Sequence, residues 1–136
     1  MKGIMTILHE LCGDKTTINA PKASIGKKII AAKVDDNQLV IDLELEDKKL
    51  IVKDDGQCCC ENRYMSCDDD FTPHIGAEIV DFELKDGPTT EDEYGEPHEI
   101  RFFEVKTTRG AFQIVNHNEH NGYYGGFSIC ARLENK

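Results

Sequence analysis

The sequence lacks long apolar runs, a surplus of basic residues, any Cys-x-x-Cys pair and the common catalytic or nucleotide-binding motifs, and each absence removes a class of function. Its longest apolar stretches, such as Ile29-Ile30-Ala31-Ala32, are only a few residues, whereas a helix needs ~20 to cross a bilayer. Leu8 is followed at once by His9 and Glu10, so the apolar core and cleavage site of a signal peptide are missing and a cytoplasmic protein is expected. Sixteen Lys and Arg against 26 Asp and Glu give a net charge of -10. That charge repels nucleic acid and anionic lipid, so neither direct DNA binding nor membrane association is expected. No Gly-x-Ser-x-Gly elbow, phosphate loop or dinucleotide fingerprint occurs, so no familiar reaction is announced. Of the 6 cysteines, Cys58, Cys59 and Cys60 are consecutive. Disulfide frameworks normally separate their cysteines, so free thiols or metal ligands are expected rather than bridges.

What is present is a pattern. The 136 residues suit a single domain, 1–136, with a self-sufficient core. Ile4, Ile7, Leu8 and Leu11 fall at helical spacing before Gly13, which predicts a short N-terminal helix over 2–12. Ile25-Gly26-x-x-Ile29 then recurs 50 residues later as Ile75-Gly76-x-x-Ile79, and a period-two run follows each copy, Leu39 to Leu45 and Ile100 to Thr107. The alternation reads as half-buried strands. Each half, 25–67 and 75–133, is therefore expected to be an antiparallel meander, the second interrupted by an acidic loop at 87–99. Neither meander can bury one face alone. The expected fold is mainly β (α+β if the helix is counted), two related meanders packed as a sandwich or barrel with pseudo-two-fold symmetry.

Both halves lead into polar segments without an apolar period, Asp54 to Arg63 and Asn116 to Gly126, which read as loops. One contains Cys58-Cys59-Cys60-Glu61-Asn62-Arg63-Tyr64-Met65, and the other His117-Asn118-Glu119-His120-Asn121-Gly122-Tyr123-Tyr124-Gly125-Gly126-Phe127. These strings, with Asp68-Asp69-Asp70, resemble an uncharacterised family of small phage and prophage proteins, a domain of unknown function. The resemblance runs from Lys53 onward and implies a phage source, hence the cytoplasm of an infected or lysogenic bacterium, but no activity. Cys58 and Cys67 depart from the family pattern.

Three chemistries are compatible with the segments. Arg63, Tyr64, Asn118, Asn121, Tyr123 and Tyr124 offer a guanidinium, stacking rings and amide edges for a small polar ligand such as a nucleotide. Cys60 with His117 or His120, oriented by Glu61, would form a thiol-imidazole pair. Cys59, Cys60, His117 and His120 carry the donors zinc prefers, although adjacent cysteines seldom reach one tetrahedral ion. The sequence therefore favours a non-enzymatic accessory or anti-defence factor that binds a polar ligand or occludes a host protein, with no cofactor required. A metal- or thiol-dependent hydrolase at the same residues is the alternative. Assembly with a second copy of the chain is compatible with either.

Adjacent tyrosines in an extended segment point to opposite faces, so at most one of Tyr123 and Tyr124 can enter a core. Alanine at the exposed one should change stability by no more than about 0.5 kcal/mol while weakening ligand or partner binding, as thermal denaturation beside a binding assay would read.

Overall fold

Runs rich in Val, Ile and Phe, punctuated by turn residues, become strands because branched and aromatic side chains pack well on a pleated surface. The computed structural model describes residues 21–35, 37–44, 47–54, 61–91, 93–120, 127 and 129–135; the predicted helix over 2–12 lies outside them. The strands are β1 (Ile29–Asp35), β2 (Gln38–Leu43), β3 (Lys48–Asp54), β4 (Glu61–Ser66), β5 (Ile79–Asp86), β6 (Thr90–Glu91), β7 (Pro97–Thr107), β8 (Gly110–His120) and β9 (Ile129–Asn135). A helical turn at 21–24 precedes β1, and a 3-10 turn at Thr72–His74 precedes β5.

Two antiparallel sheets pack face to face, with strand orders β1-β2-β3-β9 and β4-β8-β7-β5, and β6 adds to β7. The fold is mainly β, an open sandwich rather than a closed barrel. The orders correspond element by element. β1-β2-β3 matches β5-β7-β8, and each half sends its last strand to the other half's sheet, β4 to β8 and β9 to β3. A single apolar core results, drawing inward-facing side chains from both sheets: Ile41 and Leu50 from one, Val105 and Phe112 from the other.

The symmetry centres on the recurrent Ile-Gly-x-x-Ile. Lys28 and Glu78 form an antiparallel bridge, and the hydrogen bonds around it come in reciprocal pairs. Gly26 N donates to Ile79 O and Gly76 N to Ile29 O, each at 2.7 Å, while Ile29 N donates to Ala77 O and Ile79 N to Lys27 O at 2.9 and 3.0 Å. Equivalent β-bulges follow, between Ile29 and Ala31 and between Ile79 and Asp81. Each bulge turns an apolar residue outward, Ile30 at 49% and Val80 at 53% exposure.

Two expectations need correction. The segment 87–99 is not wholly loop, since it holds β6 and the start of β7. The polar segments begin later than their composition suggests: Asp54 ends β3, Asn116 to His120 continue β8, and Glu61 to Arg63 open β4. Cross-strand pairing overrides the missing apolar period there.

Gly26 and Gly76 have φ of 82° and 86°, a region that costs an L-residue roughly 1–2 kcal/mol. A Cβ at Gly26 would meet nothing within 4 Å and one at Gly76 only the Arg109 guanidinium at 3.7 Å, so backbone strain alone sets the penalty. Gly26→Ala and Gly76→Ala should each destabilise by about that 1–2 kcal/mol, measured by urea denaturation.

Candidate functional site

β8 alternates strictly, with Phe112, Ile114, Asn116, Asn118 and His120 buried and Gln113, Val115, His117 and Glu119 less so. The inward row therefore begins apolar and ends polar: Asn116, Asn118 and His120 are 1%, 0% and 6% exposed. Across the ladder β4 sets Met65 opposite Asn116, Arg63 opposite Asn118 and Glu61 opposite His120. Buried polar atoms require partners, and most are supplied locally. Arg63 Nη1 donates to both carboxylate oxygens of Asp54, at 2.8 and 3.1 Å, with side chains only 7% and 10% exposed. His120 Nε2 lies 2.8 Å from Glu99 Oε1. Asn116 Nδ2 donates to Arg101 O at 3.2 Å, yet its Oδ1 is buried without a hydrogen-bond partner among the described residues.

That amide lines a cleft of about 360 Å³ between the end of β3 and the edge strand β4. Asn37, Lys53 and Asp54 form one wall, and Asn62, Arg63, Tyr64 and Met65 the other. The volume falls within the range of small-ligand pockets, roughly 300–1,000 Å³. Asp54 and Asn116 hold equivalent places in the two halves, since Asp54 pairs with Ile129 on β9 as Asn116 pairs with Met65 on β4. The cleft thus opens where both third strands turn from apolar to polar.

A different cluster occupies the outer face of the same ladder. The Tyr64 ring stacks on His117, centroids 4.3 Å apart and planes within 6°. His117 Nε2 lies 2.7 Å from Ser66 Oγ and its Nδ1 lies 2.9 Å from His98 Nε2. Burial, and then the neighbouring His98, hold the His117 pKa below that of an ordinary histidine. Tyr64 is pushed up to about 12 by burial and by its hydrogen bond to the Glu119 carboxylate.

Of the residues singled out from the sequence, Arg63 and Tyr64 reach the cleft, and Asn118 is buried at the polar end of the core. His117 and His120 stand three positions apart on one strand and face opposite sides of it, so β8 does not turn both toward one ion. Cys59, Cys60, Asn121, Tyr123 and Tyr124 lie outside the described residues, as does the Glu61 side chain. Among the described residues no group of three or more His, Cys, Asp or Glu is placed to hold a metal. Cys67 is a free thiol whose pKa is raised chiefly by burial, whereas Cys130 is disulfide-bonded, against the expectation of free thiols. Sequence reading missed Lys53, Asp54, Asn116, Ser66, His98 and Glu99. For Asn116 a signal existed, because it keeps the parity of Phe112 and Ile114.

A family model described as a domain of unknown function, DUF7448, matches residues 22–130. No curated protein and no solved structure gives a significant match.

The Arg63 and Asp54 pair governs stability at this end. Arg63→Ala strands a buried carboxylate and should cost about 3–5 kcal/mol. The double variant Arg63→Met with Asp54→Leu should recover most of that loss in urea denaturation. The pH dependence has two limbs. The depressed pKa of His117 contributes stability that is present above the ordinary value of about 6.5 and lost as pH falls. The raised pKa of Tyr64 contributes stability present below about 10 and lost as pH rises toward the folded value. His117→Gln should flatten the acid limb and Tyr64→Phe the alkaline one.

Proposed function

We propose a binding role for this chain, which belongs to the domain-of-unknown-function family DUF7448: it captures a small polar ligand of nucleotide type in the cleft between β3 and β4, without transforming it there. The observation that carries this reading is Asn116 Oδ1, an acceptor buried at 1% residue exposure with no donor among the described residues, on the wall of an open polar cleft. A buried acceptor left unmet costs about 1–3 kcal/mol, and a turn of the Asn116 amide toward the cleft would let a ligand N–H or O–H recover it. Arg63 in this space is offset by Asp54, and the Lys53 ammonium that lines it as well favours a ligand that also carries negative charge. A nucleotide combines a base with N–H donors and an anionic phosphate.

The resemblance to phage and prophage proteins supports placing this capture in an accessory or anti-defence role, where stoichiometric binding of a host nucleotide signal suffices. The alternative, a metal- or thiol-dependent hydrolase using Cys60 with His117 or His120, draws less support in its metal form, because the strand turns the two histidines to opposite faces.

The test is equilibrium dialysis of the purified chain against a panel of nucleotides, with mass spectrometry of whatever denaturation releases. Binding of at least one nucleotide is expected, and Asn116→Ala should weaken it about tenfold, the loss of roughly 1.4 kcal/mol. The same variant deletes the unmet acceptor but also the Nδ2–H bond to Arg101 O, so it should cost the unliganded protein about 1 kcal/mol, read by urea denaturation of the same sample. Absence of any bound nucleotide from both measurements would remove the proposal.

A further inference from the structure

Of the outer-face cluster on β4, β8 and β7, Tyr64 also lines the cleft, whereas Ser66, His117 and His98 do not. In the ladder Tyr64 pairs with His117 and Ser66 with Val115, so Ser66 stands diagonally across from His117 on the same face. β4 is the edge of its sheet, and Ser66, His117 and His98 are all half-buried rather than sealed. The distances of 2.7 Å from Ser66 Oγ to His117 Nε2 and 2.9 Å from His117 Nδ1 to His98 Nε2 give a nucleophile, a base and an orienting group in sequence. One proton arrangement serves all three: the Ser66 hydroxyl donates to His117 Nε2, and His117 Nδ1–H donates to His98 Nε2. The stacked Tyr64 ring holds the imidazole plane.

We infer that Ser66 is a nucleophile activated by His117 and oriented through His98, and that this face accepts activated acyl esters. Ser66 Oγ bonds to the ester carbonyl carbon while its proton passes to His117 Nε2. The carbon–oxygen bond to the leaving group then breaks, and the imidazolium returns the proton to the departing alkoxide or phenoxide. The products are an O-acyl serine and an alcohol. Water, deprotonated by the same imidazole, attacks the acyl carbon and restores the serine with release of a carboxylic acid. Burial and then His98 disfavour the imidazolium, and the negative charges of Glu119 and Asp68 offset part of that cost in each step.

The experiment treats the full chain with p-nitrophenyl acetate, follows p-nitrophenolate release with protein in excess, and maps acetyl groups by peptide mass spectrometry. The expected result is an acetyl group on Ser66 that Ser66→Ala abolishes. His117→Gln should slow acylation by about 100-fold, with His98→Gln giving a smaller loss. Ser66→Cys, which keeps a nucleophile of similar size, should carry the acetyl at the same position and so separates chemistry from folding. A native chain without acetyl on Ser66 would overturn the inference. So would a folded Ser66→Ala chain that releases p-nitrophenolate as fast as native. Neither result depends on nucleotide binding, so the cleft and the relay stand or fall separately.

Discussion

The reciprocal hydrogen bonds around Lys28 and Glu78 are the constraint on which the rest of the architecture depends. Gly26 and Gly76 each donate to the carbonyl of the other half's isoleucine at 2.7 Å, and this locks the starts of β1 and β5 side by side at the pseudo-two-fold. From that point the two strands diverge into different sheets, and the bulges after Ile29 and Ile79 supply local twist. The inward rows of both sheets then meet in one core, which is why Leu50 joins the same apolar cluster as Phe112 and why Asp54 and Asn116 come to equivalent places. The polar cleft follows from the junction, because both third strands outrun the apolar layer at corresponding positions.

Much of this is legible in the sequence where side chains alternate. Ile25-Gly26-x-x-Ile29 and its second copy mark the junction, and Leu39 to Leu45 and Ile100 to Thr107 mark β2 and β7. What is not legible is the exchange of last strands, since nothing in Glu61 to Ser66 or Ile129 to Asn135 says which sheet will receive it. Asn116 to His120 reads as loop because burial of amides and an imidazole breaks the apolar signal while leaving the backbone pairing intact. The relay of Ser66, His117 and His98 is invisible for a different reason: its members are distant in sequence, and only the register of three strands makes them neighbours.

The ladder of β4 and β8 carries polar chemistry on both faces, and the parity of the strands keeps the two apart. Inward, the ion pair of Arg63 with Asp54 and the contact of His120 with Glu99 serve the core, while Asn116 Oδ1 has no hydrogen-bond partner among the described residues. Outward, Tyr64, Ser66 and His117 belong to an open surface. One residue step along β8 changes the environment, so Asn116 and His117, though adjacent, face the core and the outer surface respectively.

The crossing of β9 onto β3 has a consequence for biogenesis. As the chain leaves the ribosome, β1, β2 and β3 emerge early, yet β3 keeps an unpaired edge until residues 129–135 follow. That edge, flanked by Leu50, Ile51 and Val52, is an invitation to pair with a neighbouring nascent chain. The pairing that closes it joins residues far apart in sequence, and such contacts form late and slowly. Vectorial synthesis thus opens a window of aggregation risk between the emergence of β3 and that of β9.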